Sequence, residues 1–598
     1  MKDTKFSILG FVLIVLNSCT NFLEPYPNGD ISSDDLWEYQ DKVAGLVNSC
    51  YQLMPQNYND NEGAVLDCAT DNAVYTSTTN NISKFSVGTL TTGSDIFATY
   101  WSRDYQALFL LNTFLKDNKG YKTRYMVNAR YYDLVRTRLH GEAYALRAWF
   151  EWDLLQKFGG KGTNGLMLGF PIVTEPLDAN SNINLSRNSY EACVQQIIND
   201  CDSALQYLPM AHRDYLVPVL DDRNYAGSKY WGRMDGLTVL SIKSQMYLTW
   251  ASPRFNPDNN NARWDSAAVN AKKVIDFKLT KDNISGGFVK ANRVEWFNPI
   301  FPGIIFTSRY LSSNDAMERL FYPGGFQGDG AMGATEDLVE SFPMKNGYPI
   351  NDPTNRGNYD PTNPYLNRDP RFYSVIFYNG LSVLQEGVTP ATTMYTFENF
   401  VGGKDARLST STNSRTNYHI KKFVYMGLNW SNSTIKKAQH AKFFFRWAHL
   451  CLNFAEAANH VVGPLNTVKY GLSAKDVIKD LRARKTYDNA AGFTADPFLE
   501  EVALAGDVKF DELVKNERRL ETCFEGLRFY DLRRWSTTLN DLNNPAHGVD
   551  IVKTETSTTY SKVEVEARNF KSAYLPIPYS EIIKMSNLVQ NEGWDGWN

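Results

Sequence analysis

The chain has 598 residues, of which 43% are hydrophobic and 21% are charged, and its formal net charge is −4. These values are typical of a folded globular protein and exclude a disordered chain, and the length allows several lobes. No long basic run is present, which argues against binding to nucleic acid.

The N-terminal segment is typical of a bacterial export signal. Lys2 and Lys5 precede an apolar run over residues 6–16, which is too short to span a bilayer stably. The small residue Ser18 stands directly before Cys19, the pattern that the lipoprotein signal peptidase cleaves. We therefore predict that Cys19 is acylated and anchors the protein without a transmembrane helix. The alternative is a signal peptide followed by a coincidental cysteine.

The predicted domain organisation follows from this segment and from the composition of the rest. Residues 19–34 are polar and contain two prolines and a glycine, as in an extended tether. The predicted parts are a signal peptide (1–18), a lipidated tether (19–34) and a single body (35–598), with a helical-repeat part at about 35–280 and 440–490, a loop-rich part at about 280–440 and a C-terminal block at about 500–598.

Helical periodicity dominates the body. Apolar residues recur at steps of three or four in six segments: 136–158, 190–208, 237–251, 264–275, 447–458 and 477–481. Ser189 is the predicted N-cap of the second segment, and Gly159 ends the first. Adjacent amphipathic helices with small contact residues are typical of tetratricopeptide-like hairpins, here without a regular 34-residue period. The predicted fold class is mostly α, with a loop-rich second region and a few short strands.

The stretch from about 280 to 440 differs from its flanks. Gly, Pro, Asn, Ser and Thr accumulate there, interrupted only by short β-like runs such as residues 303–307. A long loop-rich stretch on a helical frame is a common position for a recognition surface.

Six cysteines follow Cys19, and we predict that they are buried free thiols. Cys193 and Cys201 are eight residues apart on one predicted helix, about 12 Å, which is too far for a disulfide. The other four have no CxxC spacing, and free cysteine is often buried. Disulfides remain the alternative, because an exported protein can form them.

Motifs in order along more than five hundred residues resemble one known family. The N-terminal half contributes Asn21-Phe22-Leu23-Glu24, Trp37, Tyr51, the spacing of Trp101, Tyr105 and Asn112, then Gly141-Glu142-Ala143, Leu146-Arg147-Ala148, Phe158-Gly159 and Gly232-Arg233. The C-terminal half contributes Arg368-Asp369-Pro370-Arg371-Phe372, Ala455-Glu456-Ala457, Glu517-Arg518-Arg519, Glu525-Gly526-Leu527-Arg528, Asp531-Leu532-Arg533-Arg534-Trp535, Pro576-Ile577-Pro578 and Gln590-Asn591-Glu592-Gly593-Trp594. Together they resemble the SusD/RagB family of Bacteroidetes outer-membrane nutrient-binding lipoproteins.

The resemblance implies a fold and a function. The fold is one of tetratricopeptide-like helices with a loop-rich second half. The function is to bind an oligosaccharide or other nutrient at the cell surface and to pass it to a SusC-like TonB-dependent transporter. The implied location is the outer membrane, with a lipid anchor and an outward-facing domain, and members of the family are not enzymes.

The charged motif residues are predicted to be scaffold. Between residues 517 and 535, carboxylates alternate with five arginines, which suits an ion-pair network and would lower the carboxylate pKa values too far for general acid catalysis. Glu142 and Arg147 lie in an apolar helical stripe and are each expected to tie their helix to a neighbour. No catalytic residue, cofactor or metal is predicted, since the seven histidines are dispersed and no nucleophile elbow, Walker loop or dinucleotide turn is present.

Ligand contacts are expected where aromatic and planar polar side chains occur together, because sugars present an apolar ring face and polar edges. Family members carry such residues ahead of and at the start of the Trp101 helix and in middle loops. The matching candidates are Asp71, Asn72, Tyr75, Tyr100, Trp101, Trp296, Arg309, Tyr310 and Tyr322. Trp101 belongs to a shared motif and is more typical of a core residue, and each of the others has the alternative of covering apolar surface.

Two other functions remain open at this point. A surface glycoside hydrolase lipoprotein would also carry many aromatics and carboxylates, and it requires a solvent-open carboxylate pair. A protein-interaction scaffold would use the helical repeats to hold a partner without any small ligand. Binding of soluble glycans to the isolated protein separates the glycan-binding hypothesis from the scaffold.

Overall fold

The computed structural model describes most of the body of the chain. The described residues are 35–61, 63–212, 224–225, 227–281, 301, 303–308, 311–314, 316–384, 392–426, 438–486 and 490–597. The predicted signal peptide, the predicted tether with Cys19, and the candidates Trp296, Arg309 and Tyr310 lie outside these residues.

Helices of very different length form the frame. In the described residues they are α1 (Gln40–Leu53), α2 (Asn81–Ser86), α3 (Ala98–Leu115), α4 (Lys119–Lys122), α5 (Ala129–Phe158), α6 (Tyr190–Tyr207), α7 (Gly236–Ala251), α8 (Asn261–Lys281), α9 (Ala316–Phe321), α10 (Glu336–Ser341), α11 (Pro370–Val375), α12 (Trp447–Val462), α13 (Ala474–Ala483), α14 (Pro497–Leu504), α15 (Asp507–Thr522), α16 (Leu527–Trp535) and α17 (Tyr579–Lys584). The six segments with helical periodicity correspond to α5, α6, α7, α8, α12 and α13, so those predictions are confirmed.

The long helices pack in sequence. Helix α1 packs on α3, α3 on α5, α5 on α6, α6 on α7 and α7 on α8; α8 then packs on α12, which also contacts α13 and α15. This packing of each helix on the next one along the chain is the arrangement expected for tetratricopeptide-like hairpins. The predicted cap is also confirmed, since the Ser189 side chain accepts a hydrogen bond from the Ala192 N–H at 3.1 Å.

Strands are short and antiparallel, and most of them lie in the second half. They are β1 (Ala73–Tyr75), β2 (Gly160–Lys161), β3 (Met167–Leu168), β4 (Ile304–Thr307), β5 (Leu311–Asn314), β6 (Met332–Ala334), β7 (Ile376–Phe377), β8 (Ser382–Leu384), β9 (Met394–Thr396), β10 (His419–Ile420), β11 (Ala438–His440), β12 (Phe443–Arg446), β13 (Ala546–Lys553) and β14 (Thr558–Glu566). They form the pairs β1–β6, β2–β3, β4–β12, β5–β11, β7–β10, β8–β9 and β13–β14. The mostly helical fold with a loop-rich second region is therefore confirmed.

The β4–β12 pair joins the loop-rich region to the helical frame. Phe443 pairs with Thr307, and Arg446 pairs with Ile304 just before α12 begins. β12 has three phenylalanines, and β4 has two isoleucines and one phenylalanine, a composition that suits strands with a buried face. Two cavities described below lie on either side of this pair.

All six cysteines of the described residues are buried and free, as predicted. Cys193 and Cys201 lie on α6, where their fixed helical spacing keeps them apart. Among the described residues, no helix combines the length and the apolar character that a bilayer crossing requires.

The charged C-terminal block forms a buried ion-pair network, but its partners differ from the prediction. The carboxylates were expected to pair with arginines of the same block. Instead, Glu517 accepts hydrogen bonds from Arg371 and Arg482, which lie 146 and 35 residues away in sequence. Asp531 alone follows the expectation, because it pairs with Arg518 and Arg534.

The remaining members of the network tie α15 and α16 to other parts of the fold. Arg446 donates to both Glu521 and Glu525, and Lys422 also donates to Glu525. Arg533 forms no ion pair with a carboxylate among the described residues. Its guanidinium lies 3.6 Å from the centre of the Phe529 ring, and burial lowers its pKa to about 9. The block is a cross-linking element between distant segments, with bidentate arginine as the main donor.

Candidate functional site

A groove of about 630 Å³ runs beside α1 and is the main candidate for a ligand site. It is lined by α1 and the loop after it, by the turn that precedes α7, and by β4. The lining residues are Asn48, Tyr51, Gln52, Met54, Gln56, Lys229, Tyr230, Trp231, Gly232, Arg233, Phe306, Thr307 and Ser308. We call it the α1 groove.

Helix α1 supplies one wall because it is amphipathic. Val43, Val47 and Cys50 are buried against α3, and the 3.6-residue period then directs Asn48 and Gln52 to the opposite, exposed side. These two amides are one helical turn apart and lie next to each other along the groove. Both can donate and accept hydrogen bonds.

A buried carboxylate supports the groove from below. Glu142 on α5 is fully buried and accepts hydrogen bonds from Arg138 Nη1 at 2.8 Å, from Arg233 Nε at 2.7 Å and from the Tyr51 hydroxyl at 3.1 Å. Burial by itself would raise the pKa of Glu142, but the charges of Arg233 and Arg138 outweigh it and hold the pKa at about 2. The predicted tie between helices is confirmed for Glu142, and also for Arg147, which pairs with Asp200 on α6.

The cations around Glu142 also fix the aromatic rings of the groove. The Arg138 guanidinium lies 3.9 Å from the centre of the Tyr230 ring, and that of Arg233 lies 4.6 Å from the Tyr51 ring. Arg233 Nη2 donates to the Asn48 side-chain oxygen at 2.7 Å, so the same guanidinium positions α1 as well. The groove is therefore preorganised by an ionised carboxylate that faces away from the ligand space.

Trp231 is the exposed ring of the groove. Its side chain is 40% exposed, and its indole N–H makes no hydrogen bond to any described residue. Unlike the fixed tyrosines it has no cation over its ring among the described residues, and the exposed side chains of Gln52 and Lys229 line the same groove. A flat ring with planar polar groups at its edge can stack on one face of a sugar and bind its hydroxyls.

The lining of the groove does not resemble a hydrolytic site. Among its described lining residues there is no aspartate or glutamate, and Glu142 beneath it is saturated by two arginines and a tyrosine. A glycosidase requires two carboxyl groups on either side of the scissile bond. Within the described residues no group of three or more His, Cys, Asp and Glu could hold a metal ion.

Three of the sequence-predicted candidates lie in the core, where burial argues against ligand contact, and for Trp101 a core position is the favoured prediction from the sequence. Asn72 is fully buried, donates to Asp67 and accepts from Arg519. Trp101 is 2% exposed, and its ring packs edge-on against Phe158 at 5.1 Å. Tyr322 is also fully buried. Side chains without exposed surface have no face to offer a ligand.

The other described candidates are accessible in part, but none of them lines the α1 groove. Asp71 is bonded at both oxygens by Arg528, at 2.9 and 2.8 Å. Arginine charges keep the pKa of Asp71 well below its usual range, although burial opposes this. Tyr75 is half-buried on β1, and Tyr100 is 6% exposed and lines a separate interior cavity.

The residues that form the groove were mostly missed at the level of sequence. Gly232-Arg233 belongs to one family motif and Tyr51 to another. Neither motif predicts that Trp231 or the amides of α1 line a groove. A usable signal was the exposed polar face of α1 together with an adjacent Tyr-Trp pair ahead of the motif. Of the middle-region candidates, Arg309 and Tyr310 lie outside the described residues and directly follow Ser308, which lines the groove.

Comparison with known proteins finds a matching family model for each half of the chain. The model of the SusD family matches residues 302–594, and a second model, described as starch-binding and associating with the outer membrane, matches residues 21–219. No curated protein matches the chain.

Solved structures share the fold along nearly the whole chain. A SusD-like protein from Bacteroides fragilis is 20% identical, with a TM-score of 0.69, and the match covers 95% of this chain and 99% of that one. A SusD-like carbohydrate-binding protein from the same species is 19% identical, with a TM-score of 0.65 over 92% and 99%. A surface glycan-binding protein from Bacteroides uniformis is 15% identical, with a TM-score of 0.58 over 92% and 99%. With a matching model on each half and one shared architecture, the chain belongs to the SusD/RagB family.

Proposed function

We propose that this protein binds an oligosaccharide or polysaccharide nutrient in the α1 groove at the cell surface and delivers it to a SusC-like TonB-dependent transporter. The observation that carries the proposal is the free ring of Trp231 in a groove of about 630 Å³. Membership of a family with a model described as starch-binding supports the same class of ligand.

The chemistry of the groove suits a neutral or weakly polar glycan. Stacking of a pyranose on an aromatic face buries the axial C–H groups of the sugar, and planar amides then bind the hydroxyls at its edge. The groove offers one exposed ring and two exposed amides, Asn48 and Gln52, on a rigid helix. Trp296, Arg309 and Tyr310 remain proposed as additional contacts, because the last two continue the chain from the groove residue Ser308.

The location and the partner form the second part of the proposal. Residues 1–18 act as a signal peptide, Cys19 carries the lipid, and residues 19–34 act as a tether that holds the body outside the outer membrane. The description of the matching family model as associating with the outer membrane supports this location. The stacked helices provide an extended surface for the transporter, as helical repeats commonly do for protein partners.

Binding without catalysis is proposed because the groove lacks an acid and a base. Its lining contains no carboxylate among the described residues, and the low pKa of Glu142 prevents it from donating a proton near neutral pH. A glycoside hydrolase would release reducing sugars from a polysaccharide. A scaffold without a small ligand would give no glycan binding at all.

The experiment compares Trp231→Ala with Phe109→Ala, a control that removes an equally exposed aromatic ring from α3, outside the groove. Affinity electrophoresis against a panel of soluble starch, xylan, mannan and pectin first identifies a ligand, and calorimetry then gives its affinity. Trp231→Ala should weaken binding by at least about ten-fold, as expected for loss of a stacking ring, with an unchanged melting temperature. Equal affinity of Trp231→Ala and the wild type would remove the groove from the proposal.

A further inference from the structure

A second cavity lies behind the α1 groove, in the interior of the helical frame. It has a volume of about 110 Å³ and is formed by the loop after α1, by α5, by β12 and by the turn before α16. We call it the central cavity. The β4–β12 pair and the loop at residues 54–58 separate the two spaces, since Met54 and Gln56 line the groove whereas Pro55 and Tyr58 line the cavity.

Aromatic side chains form a large part of its wall. Trp149 and Trp152 on α5 are 5% and 4% exposed, and the Trp149 ring packs edge-on against Phe444 at 5.4 Å. Tyr100 and Tyr530 complete the lining from α3 and α16. A space of this volume holds on the order of eight water molecules, or one small ring-shaped ligand.

Three hydrogen-bond donors on side chains of this wall have no acceptor among the described residues. The indole N–H groups of Trp149 and Trp152 make no hydrogen bond to any of these residues. Gln245 is 5% exposed, and its side-chain oxygen accepts from Asn453 and Arg518, which fixes the amide orientation and leaves both N–H groups of Nε2 without a partner among them. The three nitrogen atoms remain accessible from the cavity, so they can donate to a molecule bound there.

Two lysines add positive charge to the same space. Lys157 is 6% exposed, donates one hydrogen bond to Asp153, and lies 4.6 Å from the centre of the Tyr100 ring. An ammonium group has three N–H donors, so Lys157 retains two. The ammonium of Lys442 makes a 3.5 Å contact with Asp60 and lies 5.9 Å from the centre of the Tyr58 ring. Its pKa is lowered by burial, and the charge of Lys157 adds to that effect while Asp60 opposes it.

The carboxylates at the cavity are already bonded. Asp153 accepts from Lys157 and from Arg103, the latter at 2.7 Å. The two oxygens of Glu525 accept from Arg446, Lys422 and His449. The cavity therefore presents an excess of free donors over free acceptors.

We propose that the central cavity binds a small ligand through a carboxylate group, with the ring of a single hexuronate as the ligand it fits best. A carboxylate has about four acceptor sites and no donor, which matches the free N–H groups of Trp149, Trp152, Gln245 and Lys157. The aromatic wall then faces the C–H surface of the ring. Gln156 and Tyr530 are half-buried and also line the cavity, and their polar groups can hydrogen-bond the ring hydroxyls.

This site is independent of the α1 groove. The two spaces share no lining residue, so the proposed glycan function and the carboxylate site can each fail alone. Trp231→Ala is accordingly expected to leave binding in the central cavity unchanged.

The test titrates the purified full-length protein with sodium glucuronate, glucose and sodium acetate by isothermal calorimetry. Glucuronate should bind, glucose should bind at least ten-fold more weakly, and acetate should fall between them. Acetate binding as tight as glucuronate keeps the carboxylate site and assigns it to free small carboxylates. Glucose binding as tight as glucuronate, or no heat with either carboxylate because the cavity holds water only, overturns the proposal.

Two variants locate the binding. Gln245→Glu keeps the oxygen that Asn453 and Arg518 bond and replaces the free N–H groups with a negative oxygen, so it should weaken glucuronate binding by more than ten-fold. Gln52→Glu makes the same change in the α1 groove and should have no effect. Trp152→Phe keeps an aromatic ring and removes the indole N–H donor, so it should weaken glucuronate binding several-fold. It provides the test if Gln245→Glu fails to fold. Unchanged affinity in Trp152→Phe and in folded Gln245→Glu would contradict the assignment.

Discussion

The buried carboxylate beneath the α1 groove offers the sharpest test of how this fold holds its site. Glu142→Gln keeps the shape of the side chain and removes the charge that Arg138 and Arg233 face. Removing one partner of a buried ion pair costs about 3–5 kcal/mol, because the remaining charges lose their counterion. The pKa of Glu142 gives a second figure: a fall from 4.5 to about 2 corresponds to about 3 kcal/mol at neutral pH. We expect a loss of about 3 kcal/mol in the free energy of unfolding.

The pH dependence of this loss has a definite sign. Because the pKa of Glu142 is lower in the folded protein than in the unfolded chain, its stabilisation is complete above its ordinary pKa of 4.5 and disappears as the pH falls toward 2. The stability difference between the wild type and Glu142→Gln should therefore be constant from pH 7 to pH 6 and fall to about half by pH 3.

The assay is urea unfolding followed by tryptophan fluorescence at pH 7, 5 and 3, with Glu555→Gln as the control. Glu555 is exposed on the turn between β13 and β14, and its variant should stay within about 0.5 kcal/mol of the wild type. A cost for Glu142→Gln of less than about 1 kcal/mol, the range of surface ion pairs, would refute the reasoning. A difference that stays the same down to pH 3 would refute it as well.

Three further changes test the assignments of other residues. Trp101→Ala should cost about 3–5 kcal/mol in urea unfolding, since its ring lies in the core; unchanged stability with a loss of glycan affinity would return it to the ligand site. Asp71→Asn removes the charge between Arg519 and Arg528 and should cost about 1–2 kcal/mol without altering glycan affinity in calorimetry. Cys19→Ala should release a folded protein from the outer-membrane fraction, and recovery of a lipid-labelled variant in that fraction would show that the anchor lies elsewhere.

The helical part of the fold could be predicted because its signals are local. An apolar stripe at steps of three and four, a serine cap and a terminal glycine are enough to define α5 and α6. The lack of a disulfide between Cys193 and Cys201 follows from one distance, their helical spacing. Such inferences need no knowledge of which segments meet in space.

The partners of the buried charges could not be predicted, since they depend on contacts between distant segments. Arg371 and Glu517 are 146 residues apart, and Arg446 and Glu525 are 79 apart. The sequence showed that the carboxylates of the C-terminal block needed cations, but cations in several other motifs were equally available. Only the packing of α12, α13 and α15 decides that Glu517 bonds Arg482 and Glu525 bonds Arg446.

The candidate residues could not be sorted for a related reason: an aromatic residue near a charged one looks the same in the sequence whether it lies in a core or in a binding site. Trp101 and Trp231 each stand two residues before an arginine, yet one is 2% exposed and the other 40%. Trp101 lies on α3, which packs between α1 and α5, and Phe158 of α5 packs edge-on against its ring. Trp231 lies on the turn before α7 and stays exposed. This difference in exposure arises from the packing of the helices, which the local sequence does not show.

The motif residues Glu142 and Arg233 support the groove, whereas the Trp231 ring is exposed in it. This separation explains how one scaffold can bind different ligands. Glu142 holds Arg233, and Arg233 holds Asn48 and the Tyr51 ring, so the backbone of the groove is fixed from beneath by buried charge. The groove-lining residues Gln52, Lys229 and Trp231 take no part in that network, and surface changes of this kind usually alter stability by less than about 0.5 kcal/mol. Specificity can therefore change at these three positions without loosening the frame. The family motifs therefore predict the scaffold of the groove. They do not predict which sugar binds, because that depends on residues outside the motifs.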